Sequence, residues 1–280
     1  MKIGYSNLAC PDWTLEQAFD RGAQYGYDGI ELQAIDGRFL TSRLLKENLH
    51  RIRKLSASSG CHLFAIGPII ALSGMPVYHP ALFPEEILTE SNNVLSEVEA
   101  FIEQAGYLGA EFLRVFGSWS TADPSEEFMI DLVRVIISVR EAACKCNVKL
   151  ALETYGCLSN AAFLRRVIDK VDSPQVVALW DILHPHLSGQ SVPIVWTNLA
   201  DRLGYIHVQD ARRQGKKTKP VPLGDGEVPV REVLRTLALA GFDGFVSLEW
   251  EKAIFPELAG PEVALPATLS KVRQYTSDIP

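Results

Sequence analysis

Hydrophobic and polar positions along this chain follow a repeating grammar. "AQYGYDGIELQA" (23–34), "EQAGYLGAEFLRVF" (103–116), "ADRLGYIHVQD" (200–210) and "LALAGFDGFVSLEW" (237–250) each read as the end of an amphipathic helix, a glycine, a short turn and a β run. Gly26, Gly106, Gly204 and Gly241 fall where a helix C-terminus takes a left-handed residue, a conformation glycine adopts without a Cβ penalty. The remaining apolar runs complete eight predicted strands at 2–7, 29–34, 63–68, 111–117, 148–154, 176–182, 205–210 and 245–250. Between them lie predicted helices at about 14–26, 42–59, 85–106, 124–146, 160–171, 192–203, 229–240 and 262–275. Helix starts are signalled by Thr14 with Gln17 as a capping box, Asp123 before Pro124, and Pro229 at a first turn.

Strict strand and helix alternation with nearly continuous apolar strands predicts a parallel sheet covered by helices. Eight such units predict a single-domain (β/α)8 TIM barrel over residues 1–280, with a doubly wound open sheet as the alternative. No Gly-x-Gly-x-x-Gly follows the first strand, which disfavours the dinucleotide-binding form of that alternative.

Charge and cysteine usage narrow the partners. A formal charge of −7 gives nucleic acid or an anionic membrane no general attraction. Five cysteines, at 10, 61, 144, 146 and 157, include no Cys-x-x-Cys pair and suit reduced thiols and a cytoplasmic location. The start "MKIGYSNLAC" does not read as a signal peptide, and no run of eighteen apolar residues reads as a membrane span. A small-molecule substrate is the expected partner, with homo-oligomerisation left open.

Candidate chemistry gathers at the predicted strand ends, where a barrel builds its active site. "VVALWDILHPHLSG" (177–190) starts as a buried run and ends in Asp181, His184 and His186. Asp181 ends the sixth strand, and the equivalent places on neighbouring strands hold Glu153, His207 and Glu249. Four metal-competent side chains at one height predict a shared divalent ion, because three converging carboxylates would otherwise repel one another. Three oxygen donors and one imidazole suit Mn²⁺, Mg²⁺ or Co²⁺ and accept Zn²⁺.

These residues, together with Glu31 in "DGIEL", the Asp181/His184 pair, "HVQDAR" from His207 and "PLGDGEVP" (222–229), make the chain similar to the xylose isomerase-like sugar isomerase and epimerase barrels. That family includes ketose 3-epimerases, inosose dehydratase, hydroxypyruvate isomerase and endonuclease IV-type enzymes. The resemblance implies Glu153, Asp181, His207 and Glu249 as metal ligands, His184, Arg213 and Glu31 as substrate contacts, and Glu153 and Glu249 as the proton carriers of an epimerase. It implies an isomerase or epimerase of a sugar, keto-sugar or cyclitol working through an enediolate, with a dehydratase or lyase on the same site as the alternative. Two further readings are a DNA repair phosphodiesterase and a non-catalytic sugar-binding barrel. Two departures weigh on these readings. "ETYGCLSN" lacks the second Glu usual in tagatose 3-epimerase-like enzymes, and Asn7, Ala34, Pro68 and Gly117 at the early strand ends offer no three-metal cluster.

Other residues carry competing readings. Trp13, Trp119 and Trp250 lie just past strand ends, where each could stack on a sugar ring or pack. Arg114, inside the fourth strand, needs an anionic partner, in a core salt bridge or a substrate. Asp225 and Glu227 read as loop-shaping, Cys144 and Cys146 as packing, His62 as structural, His50 as solvent-facing, and His186 as a supporting or solvated group. The loop at 67–85 reads as a lid or subunit contact, and the basic loop at 211–228 as solvated or as an attractor of acidic substrates.

Overall fold

The computed structural model describes residues 1–73, 94–118, 124–215 and 217–277. Eight parallel strands close into a barrel: β1 (Lys2–Ser6), β2 (Gly29–Leu32), β3 (His62–Ile66), β4 (Phe112–Val115), β5 (Lys149–Glu153), β6 (Val176–Asp181), β7 (Leu203–Val208) and β8 (Phe245–Leu248). Each strand pairs with its sequence neighbours, and β1 pairs with β8 through Lys2↔Phe245 to Tyr5↔Leu248. The principal covering helices are α1 (Leu15–Tyr25), α2 (Ser42–Ser58), α3 (Val94–Leu108), α4 (Glu126–Lys145), α5 (Ala161–Val171), α6 (Val192–Leu199), α7 (Val230–Leu239) and α8 (Pro261–Ser277). A TIM barrel is therefore the fold, and the open sheet is excluded.

Local chemistry explains several boundaries. Thr14 and Gln17 form the expected reciprocal capping box. α4 begins differently: Asp123 lies outside the described residues, and Ser125 caps the helix by accepting from Phe128 N. Pro229 is the cap residue of α7, one position before its first turn. Two hairpins and a short helix at Leu183–Leu187, none of them anticipated, decorate the C-terminal strand ends.

Gly26 and Gly241 take the expected left-handed conformation, with φ of 89° and 69°. The other two glycines do not. Gly106 lies inside α3, and the left-handed residue is Gly109 at φ 74°. A Cβ on Gly106 would sit 2.8 Å from the Cβ of Cys146, so its smallness serves the contact with the C-terminal end of α4. Gly204 lies within β7, where a Cβ would meet Val177 and Phe112 at 2.7 and 2.8 Å. Both glycines are close-approach residues, which look the same in sequence as helix terminators.

The barrel interior is layered by the two-residue alternation of strands. Phe64, Phe112, Val177, Tyr205 and Phe245 belong to one buried cluster, with Phe64 and Phe245 stacked at 4.0 Å and Phe112 and Tyr205 tilted at 4.9 Å. Two residues further along their strands lie Arg114, Leu179, His207 and Ser247, all buried. An aromatic plug thus fills the barrel below a polar layer.

Candidate metal centre

Glu153, Asp181, His207 and Glu249 come together at the C-terminal ends of β5 to β8. Each offers a ligand atom within 4.8 Å of the others. All four are buried, none more than 6% exposed. Register explains the convergence: Asp181 pairs with His207 across β6 and β7, and Glu249 N continues the ladder by donating to Val208 O at 3.0 Å.

His207 is oriented from below. Its Nε2 lies 2.7 Å from Glu31 Oε2, which leaves Nδ1 facing Glu249 Oε2 at 3.3 Å and Glu153 Oε1 at 3.7 Å. Nδ1 is buried and has no hydrogen-bond partner among the described residues. A carboxylate fixing one ring nitrogen while the other points, without a hydrogen-bond partner, at two carboxylates is the arrangement that orients a metal-binding imidazole. The donor set therefore fits a divalent cation.

Glu31 does not face the mouth as a substrate contact would. It is fully buried, and Tyr205 Oη donates to its Oε1 and Ser247 Oγ to its Oε2, each at 3.1 Å. Burial opposes its ionisation, but His207, Arg114 and Ser247 prevail and hold it below the usual carboxylate range.

Two further side chains, neither placed in the ligand set by sequence, hold the cluster. Arg114 is buried and donates from Nη1 to Glu153 Oε2 at 3.0 Å, and from Nη2 to Gln33 Oε1 at 3.0 Å and Gly67 O at 2.9 Å. This answers the need for an anionic partner through a salt bridge to β5. Gln209 donates from one amide nitrogen to Asp181 Oδ2 at 2.6 Å and to Glu249 Oε2 at 2.8 Å. Its signal in the sequence is the alternation Tyr205, His207, Gln209, which sends all three to the same wall.

His184 is the second residue of the short helix after β6, with its side chain 23% exposed. Its Nε2 lies 3.3 Å from Asp181 Oδ2, and its ring meets Tyr155 edge-on at 4.4 Å. Burial works against protonation, but Asp181 raises the imidazole to about 9. Burial pushes Glu249 up to about 7 despite the opposing pull of His207. Burial and the Glu249 charge push Glu251 up to about 8.

The remaining expectations separate. Trp250 is buried in the core and donates from Nε1 to Ala259 O at 3.0 Å, so it packs and offers no open face to a sugar ring. Trp13 is likewise buried, donating to Glu262. Trp119 and positions 74–85 of the expected lid lie outside the described residues. Arg213 is exposed on the hairpin Asp210–Gln214/Lys217–Val221, opposite Thr218. The loop after that hairpin is shaped by Asp210, whose carboxylate accepts from the backbone of Gly224, Gly226 and Val228. Asp225 and Glu227, which were expected in that role, do not supply these bonds. Cys144 is exposed, whereas Cys146 packs against Gly106. Among the described residues the quartet is the one group of three or more such side chains able to share an ion, and no helix is long and apolar enough to cross a membrane.

Comparison with known proteins places the fold in a family. A family profile described as "Xylose isomerase-like TIM barrel" matches residues 19–271. Fructoselysine 3-epimerase of Shigella flexneri is 23% identical over 255 residues, covering 89% of this chain and 90% of that protein. Among solved structures, the IOLI protein with a binding zinc atom superposes with a TM-score of 0.80 at 17% identity, covering 99% of this chain and 98% of that one. The 3-keto-D-glucoside 4-epimerase YcjR of E. coli superposes at 0.74 with 19% identity, covering 98% and 99%.

Proposed function

Starting from the fact that the chain belongs to the xylose isomerase-like TIM barrel family, we propose that it is a divalent-metal-dependent isomerase or epimerase. Its substrate would be a sugar, keto-sugar or cyclitol, processed by proton abstraction beside a carbonyl through an enediolate. The observation that carries the reading is the buried quartet with the unpartnered His207 Nδ1 aimed into it. Glu153, Asp181, His207 and Glu249 would hold one ion, with Mn²⁺, Mg²⁺, Co²⁺ and Zn²⁺ all compatible with the donors. When bound, that ion supplies Lewis-acid polarisation of the substrate carbonyl.

The chain's own residues supply the rest. Glu153 and Glu249 project from strands on either side of β6 and β7, so a substrate over the quartet lies between two carboxylates. One takes the acidic proton and the other returns one to the opposite face, the requirement for epimerisation. The two are not equivalent, since Glu153 gives one oxygen to Arg114 while Glu249 is held by neutral Gln209. If Glu249 alone moves the proton, isomerisation or loss of a β-hydroxyl follows from the same enediolate. His184, partly exposed beside Asp181, is placed to donate to a substrate oxygen, and Arg213 is a second contact on the hairpin. The aromatic plug beneath keeps water from reaching the site through the barrel axis.

The test combines metal analysis with deuterium wash-in from heavy water, using ketoses, inososes and dehydroshikimate. The reading expects a divalent ion that purifies with the chain and exchange that stops in chelator. Exchange that persists in the metal-stripped protein would refute it.

A further inference from the structure

We propose that Gln209 is a positioning residue that sets Asp181 and Glu249 for the ion, an inference that rests on the metal reading above. Gln209 is 5% exposed and reaches the quartet from the position just past β7, which lies between the strands that lead to those two acids. Its single amide nitrogen has two hydrogens and two acceptors, Asp181 Oδ2 at 2.6 Å and Glu249 Oε2 at 2.8 Å. Asp181 is pinned at its other oxygen as well, where Leu183 N donates to Oδ1 at 2.8 Å. Glu249 Oε2, once held, faces His207 Nδ1 at 3.3 Å. The clamp therefore fixes two of the three acidic ligands against the imidazole before any cation arrives.

Neutrality is as important as reach. A donor between two buried carboxylates lowers their mutual repulsion, but a charged donor there would also offset the field that attracts a divalent ion. The primary amide supplies two hydrogens without charge. Outer partners of this kind typically contribute about 10–100-fold to metal affinity.

Mn²⁺ dissociation constants, measured by competition with a fluorescent chelator, should be compared for wild type, Gln209→Met and Gln209→Lys. Each variant's unfolding midpoint in chelator serves as the control for folding. Gln209→Met keeps the bulk and loses the clamp, and is expected to bind Mn²⁺ about 10–100-fold more weakly. Gln209→Lys still donates to both carboxylates and is expected to fold, with a midpoint in chelator at or above wild type. It should nonetheless fail to bind Mn²⁺ at concentrations that saturate the wild type, which tests the neutrality of the donor. Weaker Mn²⁺ binding by a Gln209→Met protein whose midpoint in chelator matches wild type tests the clamp, because a merely structural role would lower both together. If Gln209→Met does not fold, Gln209→Leu, which also removes both donors, takes its place as the test of the clamp. Wild-type affinity in a folded variant that lacks the amide overturns the clamp, wild-type affinity in Gln209→Lys overturns the need for a neutral donor, and either result leaves the proposed function standing. A wild-type protein that binds no divalent ion brings down both.

Discussion

Replacing Glu31 should separate the forces that hold the barrel from those that tune its site. Its buried carboxylate accepts from His207 Nε2, Tyr205 Oη and Ser247 Oγ, and lies 3.9 Å from Arg114 Nε. Glu31→Leu removes the acceptor at similar volume and strands three donors. An unsatisfied buried donor costs about 1–3 kcal/mol. Rotation of the two hydroxyls relieves part of that, so the total should be about 3–5 kcal/mol, the range for breaking a buried ion pair. With a midpoint shift of about 2–4 °C per kcal/mol for a chain near this size, thermal unfolding should fall by on the order of 10 °C. Glu31→Gln keeps the shape: its amide oxygen still accepts from His207, and its nitrogen can donate to a hydroxyl that turns to accept. Only the charge is lost. Exchanging a charge-assisted for a neutral hydrogen bond costs about 1–1.5 kcal/mol, or roughly tenfold in Mn²⁺ affinity. Calorimetry in chelator reads the first quantity and a competitive titration reads the second. A Glu31→Leu protein that melts with wild type, or a Glu31→Gln protein that binds Mn²⁺ at full strength, would refute this account of how His207 is held.

Three further predictions concern the base pair, a helix contact and a surface cluster. Glu153→Gln and Glu249→Gln, each verified to retain metal, should both abolish net epimerisation if two bases act; loss in Glu249→Gln alone would point to single-base isomerisation or dehydration. Gly106→Ala should lower stability by about 1–3 kcal/mol through overpacking against Cys146, although helix propensity alone favours Ala by up to about 1 kcal/mol. Chemical denaturation decides between the two, and a stabilised variant would dispose of the contact. Arg51 pairs with Glu16 at 2.5 Å and Asp36 at 2.6 Å, and its hydrogen bonds hold the Glu16 carboxyl down at about 2. A depressed carboxyl contributes stability fully above its unfolded value near 4.3 and loses it as pH falls through its folded one. The stability difference between wild type and Arg51→Met, under about 1 kcal/mol for so exposed a cluster, should therefore shrink from pH 6 toward pH 3. A difference that grew on acidification would contradict the sign.

The sequence made the barrel legible because each βα unit repeats, and the quartet legible because its members end four successive strands. Both readings needed only spacing. Gln209 and the buried role of Glu31 required knowing which residues of a strand face inward. Strands buried on both faces read as continuous apolar runs, so that phase is hidden. The phase is recoverable once one inward residue is fixed: His207 inward implies Tyr205 and Gln209 inward. Trp250 failed as a stacking surface for the opposite reason, since its place past a strand end says nothing about the Ala259 carbonyl that draws its Nε1 into the core. Gly106 and Gly204 show the same ambiguity at the backbone.

The distribution of charge around His207 gives the site a direction. Glu31, Glu153, Asp181 and Glu249 are four carboxylates, none more than 6% exposed. Burying ionised groups is costly unless each finds a partner. Arg114 serves the β2 and β5 side, within 3.9 Å of Glu31 and bonded to Glu153. On the β6 and β8 side the fixed donor between Asp181 and Glu249 is a neutral amide. His184, which is within 3.3 Å of Asp181, sits at the open edge of that side, where a substrate would compete for it. Glu249, which burial pushes toward neutrality, is thus the acid without a fixed cationic partner, next to Nδ1 of an imidazole whose other nitrogen is already committed to Glu31. A divalent cation there would meet an oriented nitrogen and a carboxylate that ionises more readily beside it, so burial of these acids would favour capture of the ion.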